Sequence, residues 1–337
     1  MRVLVLGGSQ FLGRAIVEEA LRRGHEVTTF NRGKSGVDLP GVTAVHGDRE
    51  ATVDLERLVE GRRWDFVVDT CGYVPRVVLE SARLLSGHAG TYAFISTIGA
   101  VDGFPGKPAT EERGLWPCAP DAGPSDGEYG VLKAGCERAV GEGFSGNALF
   151  IQPGLILGPH ENVARLPWWL TRISHGGQVL APGDPRTPLQ LVDARDVAIF
   201  TLDQAEHGVA DRFMVTGPAG NTTFGEWLGL CREVTGSDAE FVWVEDRFLL
   251  DHDVKVFVEL PLWAPAGPET ANFWSVSTAK AQAAGLRTRP VAETVRDTWA
   301  WLREIPEDQR VYGKTTTHGI APDKEQAILR EWLATRG

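Results

Sequence analysis

No stretch of this 337-residue chain stays apolar for long enough to cross a bilayer. The opening MRVLVLGG runs straight into glycines, without the longer apolar core and cleavage site of a secretory signal. A soluble cytoplasmic protein with no membrane partner is the expectation. The four cysteines (Cys71, Cys118, Cys136, Cys231) form no CxxC pair and have no histidine cluster nearby, so neither a zinc site nor a disulfide framework is indicated. Buried free thiols are expected instead. Positive charge is also in deficit, with a formal net charge of −11. Nucleic-acid binding depends on clustered Lys and Arg that release counterions, so a small-molecule substrate is favoured over a nucleic-acid partner. Internal repeats and low-complexity segments are absent as well.

What the chain does have is rhythm. Runs with strand character recur at 3–7, 26–30, 42–47, 65–70, 91–97 and 148–154. Helix-period stretches separate several of them: Leu12, Ala15, Ile16, Glu19 and Ala20 form one, and Val53, Leu55, Leu58 and Val59 another. Strand and helix alternating in this way predict an α/β fold, a doubly wound parallel sheet of Rossmann type, with a smaller C-terminal substrate lobe. The expected dinucleotide-binding domain covers residues 1–155, and LQLVDARDVAIFTLDQ should bring the chain back to it at about 189–205. Residues 156–188 and 206–305, rich in Trp, Pro and Gly, form the substrate lobe, and 306–337 a tail with a closing helix. Trp168, Trp169, Trp263 and Trp274 suit either a core or an aromatic-lined cavity.

The first strand ends in GGSQFLG and opens a helix, where backbone N–H groups and the positive helix end can hold a pyrophosphate. Gly7 and Gly8 supply backbone freedom, and Gly13 lets the helix pack closely on the sheet. Gly7, Ser9, Gln10, Phe11 and Leu12 make the candidate cradle, although Gln10 stands where a second small residue is expected. After the second strand comes FNRG in place of an acidic residue. Arg32 can pair with a 2′-phosphate and Asn31 can bond the ribose, which favours NADP(H) while leaving NAD(H) open. Asp48 and Arg49 close the third strand, where Asp48 can meet the adenine edge or both can form a surface turn.

Tyr129 and Lys133 stand at i and i+4 on a probable helix, an arrangement in which an ammonium can favour phenolate over phenol. FISTIG offers Ser96 and Thr97 as hydroxyls that could orient a carbonyl or alcohol. The glycine turn, the Ser-Thr strand end and YxxxK together resemble the extended short-chain dehydrogenase/reductases, in particular the NAD-dependent epimerase/dehydratase group. The atypical members of that superfamily share the altered glycine turn. The resemblance covers about residues 1–205 and implies that Tyr129 is the general acid/base. It further implies that Lys133 lowers the Tyr129 pKa and bonds the nicotinamide ribose, that Thr97 (or Ser96) polarises the substrate oxygen, and that Thr70, Cys71 and Gly72 lie beside the cofactor. It also suggests a homodimer built on the YxxxK helix and its neighbour. Sugar-nucleotide enzymes of the family hold their diphosphate with an Arg where Leu189 falls here, with Arg186 and Arg195 close by. An NAD(P)-dependent oxidoreductase acting on a carbonyl or alcohol of a small, non-nucleotide-linked substrate is therefore the leading expectation. The alternatives are a sugar (nucleotide) epimerase or dehydratase with tightly bound NAD, and a non-catalytic NADP sensor or RNA-associated member.

Overall fold

The computed structural model describes residues 1–310 and 319–336, so part of the expected tail, 311–318, lies outside the described residues. The first part of the chain runs β1 (Arg2–Leu6), α1 (Phe11–Arg22), β2 (Glu26–Asn31), β3 (Thr43–His46), α2 (Thr52–Val59), β4 (Trp64–Asp69), α3 (Pro75–Leu85), β5 (Ala89–Ile95), α4 (Tyr129–Gly143) and β6 (Asn147–Pro153). It continues through β7 (Leu155–Leu157), α5 (Arg165–Ser174), β8 (Gln178–Pro182), β9 (Pro188–Leu189), β10 (Leu191–Asp193), α6 (Ala194–Glu206) and β11 (Arg212–Val215). The remainder holds β12 (Thr222–Thr223), α7 (Phe224–Thr235), β13 (Glu240–Val244), α8 (Asp246–Asp251), α9 (Ala279–Ala283), α10 (Val291–Leu302) and α11 (Pro322–Ala334).

Seven strands form the central parallel sheet in the order β11-β6-β5-β4-β1-β2-β3. Its core strands are apolar on both faces because helices cover both. In β1, Val3 and Val5 point into one cluster with α1 and α6, while Leu4 and Leu6 point into the other with α2, α3 and α4. Alternate side chains of one strand thus serve two cores. The strand order reverses between β1 and β4, which opens a crevice above their carboxyl ends, the usual ligand position in such sheets.

After β6 the chain leaves the sheet, then returns through α6, which packs on α1, and β11, which extends the sheet beside β6. The rest builds a second cluster around Trp169 and Trp227, both wholly buried, and Trp263, with Trp168 and Trp274 packed against it. Large aromatic side chains supply this lobe with much buried area from few positions. Among the described residues no helix is long and apolar enough to cross a membrane.

The segment between β5 and α4 lies over α4. Arg138 donates to the carbonyls of Leu115, Trp116 and Cys118, and Cys118 and Ala119 press so closely on Gly135 that a Cβ there would clash. The helix pair expected to carry a homodimer is therefore partly clothed by the chain's own residues.

Candidate active site

A cavity of about 620 Å³ opens at the crevice above β1, β2, β4 and β5. Its wall includes Gly7, Ser9, Gln10, Phe11 and Leu12 at one point, Asn31, Arg32, Asp48 and Arg49 at another, and Thr70, Cys71, Ser96, Thr97, Tyr129 and Lys133 along the strand ends. Gly7 and Gly8 take φ of 102° and 92°, the region that favours glycine. Gln10 is extended (φ −135°, ψ 148°), so no glycine is required there, which explains how the turn tolerates it. At Gly13 a Cβ would come within 2.9 Å of Gly8 N and of the Thr70 hydroxyl, so α1 can approach the sheet only without one. The first turn of α1 contains no acidic residue, and Gln10 makes no side-chain capping bond to it. Its N–H groups are left for an anion in the crevice.

Gln10 instead forms a bridge. Its Nε2 donates to the Ser35 carbonyl at 2.7 Å, and its Oε1 accepts from Asn162 Nδ2 at 3.0 Å. Asn31 is occupied in shaping the neighbouring loop: its Oδ1 accepts from Gly33 N at 2.7 Å and its Nδ2 donates to Asp38 at 3.2 Å. Arg32 is exposed on the cavity wall and has no hydrogen-bond or ion-pair partner among the described residues. Asp48 accepts from Glu50 N at 3.0 Å.

At the other end of the cavity, Thr97 lies close enough to Tyr129 to act on the phenol, and its hydroxyl accepts from Gly99 N at 3.1 Å, whereas Ser96 donates to the buried Glu137 at 2.5 Å. Of the two neighbouring hydroxyls, Thr97 is the one beside the phenol. Tyr129 is 56% exposed, yet burial within the crevice pushes its pKa above the ordinary value of 10; Arg165 and Thr97 pull in the opposite direction. Lys133 is buried, and burial lowers its own pKa. Its ammonium donates to the carbonyls of Gly72 at 2.9 Å and Ile95 at 2.5 Å, and lies 4.5 Å from the Phe94 ring centre. The expected acidification of Tyr129 by Lys133 is therefore not seen in this state. The cation that lowers the phenol pKa is Arg165.

The model of the NAD dependent epimerase/dehydratase family matches residues 3–215, from β1 through the returning β11. The chain belongs to this family. As an epimerase/dehydratase family member it is 28% identical to 2′-dehydrokanamycin reductase from Streptomyces kanamyceticus, over 58% of this chain and 55% of the relative. It is 24% identical to chloroplast stem-loop binding protein of 41 kDa b from Arabidopsis thaliana, over 64% of this chain and 58% of that protein. The match thus spans just over half the length of these curated relatives. The UDP-glucose 4-epimerase of Thermus thermophilus, solved with NAD, superposes with a TM-score of 0.66 at 21% identity, covering 90% of this chain and 99% of that one. The family is part of the short-chain dehydrogenase/reductase superfamily. A nicotinamide dinucleotide is the cofactor of the family, and the open end of α1, the glycine turn and the cavity are of a kind to take one.

In this family member Arg49 and Gly72 are engaged within the protein itself. Arg49 reaches the cavity wall, but its guanidinium turns inward to Asp69 (2.8 and 2.9 Å), Ser81 (3.0 Å) and Cys71 (3.4 Å). Asp69 is wholly buried and needs a counter-charge, which Arg49 supplies, so Arg49 does not belong to a free surface turn. Gly72 is not on the wall; it serves the site through the carbonyl that receives Lys133. The tryptophans Trp168, Trp169, Trp263 and Trp274 pack in the second core and do not line the cavity. Arg186 pairs with Asp184 on the surface, Arg195 pairs with Asp193 and Asp297, and neither lines the cavity.

Sequence reasoning missed the opposite wall, formed by Pro153 to Ile156 with Asn162, Val163 and Arg165. Glu161 lies behind it, wholly buried, accepting from the backbone N–H groups of Arg165 (2.9 Å) and Leu166 (3.3 Å). It thereby caps the start of α5 from four and five residues away, a spacing that no motif marks. Tyr73 was missed too. It lies on the wall with its ring 5.1 Å from the Lys133 ammonium.

Proposed function

We propose that the protein is an NADP(H)-dependent oxidoreductase acting on a carbonyl or alcohol of a small substrate that is not nucleotide-linked. The observation that carries this reading is the meeting of Tyr129, Thr97 and Lys133 on the same cavity wall as the open end of α1. Gly7, Ser9, Gln10, Phe11 and Leu12 would hold the pyrophosphate, Arg32 the 2′-phosphate, and Thr70, Cys71 and Lys133 the nicotinamide half. The nicotinamide, when bound, supplies or accepts a hydride. Tyr129 holds the proton. Its raised pKa keeps the phenol protonated at neutral pH, the state needed to donate to a forming alkoxide. Thr97 would offer its hydroxyl to the substrate oxygen beside the phenol, and Lys133, anchored on two carbonyls, supplies a fixed positive charge beneath the site.

A second reading is supported by the family match: a sugar epimerase or dehydratase with tightly held NAD, in which hydride returns to the same substrate. That Arg186 and Arg195, the arginines close to Leu189 in sequence, are both ion-paired and off the cavity wall supports the first over nucleotide-sugar chemistry.

The test combines a spectrum with kinetics. Protein purified without added cofactor should show little nicotinamide absorbance and should oxidise NADPH with members of a carbonyl panel. Tyr129→Phe should then lower turnover by at least about a hundredfold while NADPH affinity stays close to wild type. Carbonyl reduction should be insensitive to pH across the neutral range, whereas alcohol oxidation should rise about tenfold per pH unit, because phenolate is the minor form. Retained NAD with turnover that needs none added would favour the epimerase reading. Dinucleotide binding with no turnover, unchanged by Tyr129→Phe, would overturn both in favour of a sensor.

A further inference from the structure

The charged side chains on the cavity wall are Arg32, Asp48, Arg49, Glu50, Lys133 and Arg165. They are unevenly placed. Both acidic groups, Asp48 and Glu50, sit together in the turn after β3, on the adenine side of the crevice. Arg49 is neutralised by Asp69, and Lys133 gives two of its three donors to carbonyls and keeps the third for the nicotinamide half. At the Tyr129 end this leaves Arg165 as the cation with donors to offer a second ligand.

Arg165 is held from behind. It starts α5, its Nη1 donates to the Ile156 carbonyl at 3.3 Å, and Glu161 lies 3.7 Å from the same nitrogen. Among the described residues its Nε and Nη2 have no partner, and the side chain is 23% exposed. These two nitrogens form the edge of the guanidinium that grips a carboxylate or phosphate through two parallel hydrogen bonds. Glu161 opposes the charge only from behind: its carboxylate accepts from two backbone N–H groups and lies 3.7 Å from Nη1, on the side away from Nε and Nη2. Arg165 also acts electrostatically on the Tyr129 phenol, so its charge is felt where a substrate oxygen would accept a proton.

We propose that Arg165 recognises the substrate, and that the substrate bears a carboxylate or phosphate close to the carbon that reacts. The inference rests on the nicotinamide reading above and adds a substrate class to it. The cofactor's own phosphates are served elsewhere, by the glycine turn and the open end of α1, so the Arg165 fork remains for the second ligand.

The experiment uses the full chain saturated with NADP⁺, titrated calorimetrically with oxamate and, separately, with inorganic phosphate. Wild type should bind at least one of the two saturably, and the stronger arm tells a carboxylate substrate from a phosphorylated one. Arg165→Met should weaken that binding by more than about tenfold, and Arg165→Lys, which keeps the charge but loses the fork, should fall between. NADP⁺ affinity should be unchanged in both variants, which also reports that they fold. Loss of NADP⁺ affinity in Arg165→Met with anion binding intact would assign the residue to the cofactor and overturn the proposal, as would a loaded wild type that ignores both anions. Failure of the wild type to bind any nicotinamide dinucleotide would instead sink the oxidoreductase reading.

Discussion

The two walls of the cavity are built by different means. One is made of strand ends: the turn after β1, the ends of β4 and β5, and the first turns of α1 and α4, all held in register by the parallel ladder. The other runs on from the end of β6 at Pro153 to Arg165, held beyond the sheet by one short strand pair, β7 with β10, and by the buried carboxylate of Glu161. The first wall carries the groups common to any dinucleotide chemistry. The second carries Asn162 and Arg165, which depend on this chain's own sequence. A ladder fixes position cheaply for many residues at once, whereas a loop must be fixed bond by bond, and loops are where specificity is readily varied.

The contrast is sharpest in stability. Behind the first wall the Arg49–Asp69 pair is buried, with Tyr92 donating to Asp69 at 2.8 Å and the Cys71 N–H at 3.0 Å. Arg49→Met would leave a carboxylate without its counter-charge and should cost about 3–5 kcal/mol, measured by denaturant unfolding. The pair holds the Asp69 pKa below its ordinary value of 3.8, so its contribution is present at neutral pH and is lost as acid protonates the carboxylate. The wild-type advantage over Arg49→Met should therefore shrink in acid. A cost under about 1 kcal/mol would mean that the strand-end wall owes little to this pair.

A smaller effect separates the two ends of the first wall. Arg32 is exposed and unpaired among the described residues, so its removal should leave stability nearly unchanged. Arg32→Ala should weaken NADPH by about tenfold or more, as expected for a lost charge-assisted phosphate contact, and should barely alter NADH. Equal losses for both, read by nicotinamide fluorescence titration, would show that Arg32 shapes the loop and does not read the 2′-phosphate.

Legibility in the sequence follows the same division. The change of hydrophobic period from strand to helix, punctuated by glycines, marks each element of the first wall, and Gly7, Thr97 and Tyr129 come together because the strand ends do. Arg49 could not be read that way: its partner Asp69 is 20 residues on, and nothing in HGDRE shows the side chain turning inward. Helical spacing put Tyr129 and Lys133 on one face but said nothing of side-chain reach, and the carbonyls of Gly72 and Ile95 claim the ammonium. The tryptophans stayed open between the two readings, since a buried core and an aromatic pocket draw on the same residues and no period tells them apart; the structure puts them in the core. Arg165 gave no signal at all, because its position depends on Glu161 folding back under α5.

Gln10 belongs to both walls, and its removal gives the smallest effect. The side chain spans from Ser35, beyond β2, to Asn162 on the opposite side, across the turn where a pyrophosphate would lie. Both bonds are exposed, so each contributes only about 0.5–1.5 kcal/mol, and Gln10→Ala should leave the melting curve almost in place. The kinetics should respond more, since a bridge over the crevice slows a bound dinucleotide in leaving and a free one in entering. Stopped-flow measurement should show NADPH association and dissociation both faster by a few-fold, with little change in affinity because the two effects offset. Slower association would place Gln10 as a direct phosphate donor and not a bridge, making the residue part of the strand-end wall alone.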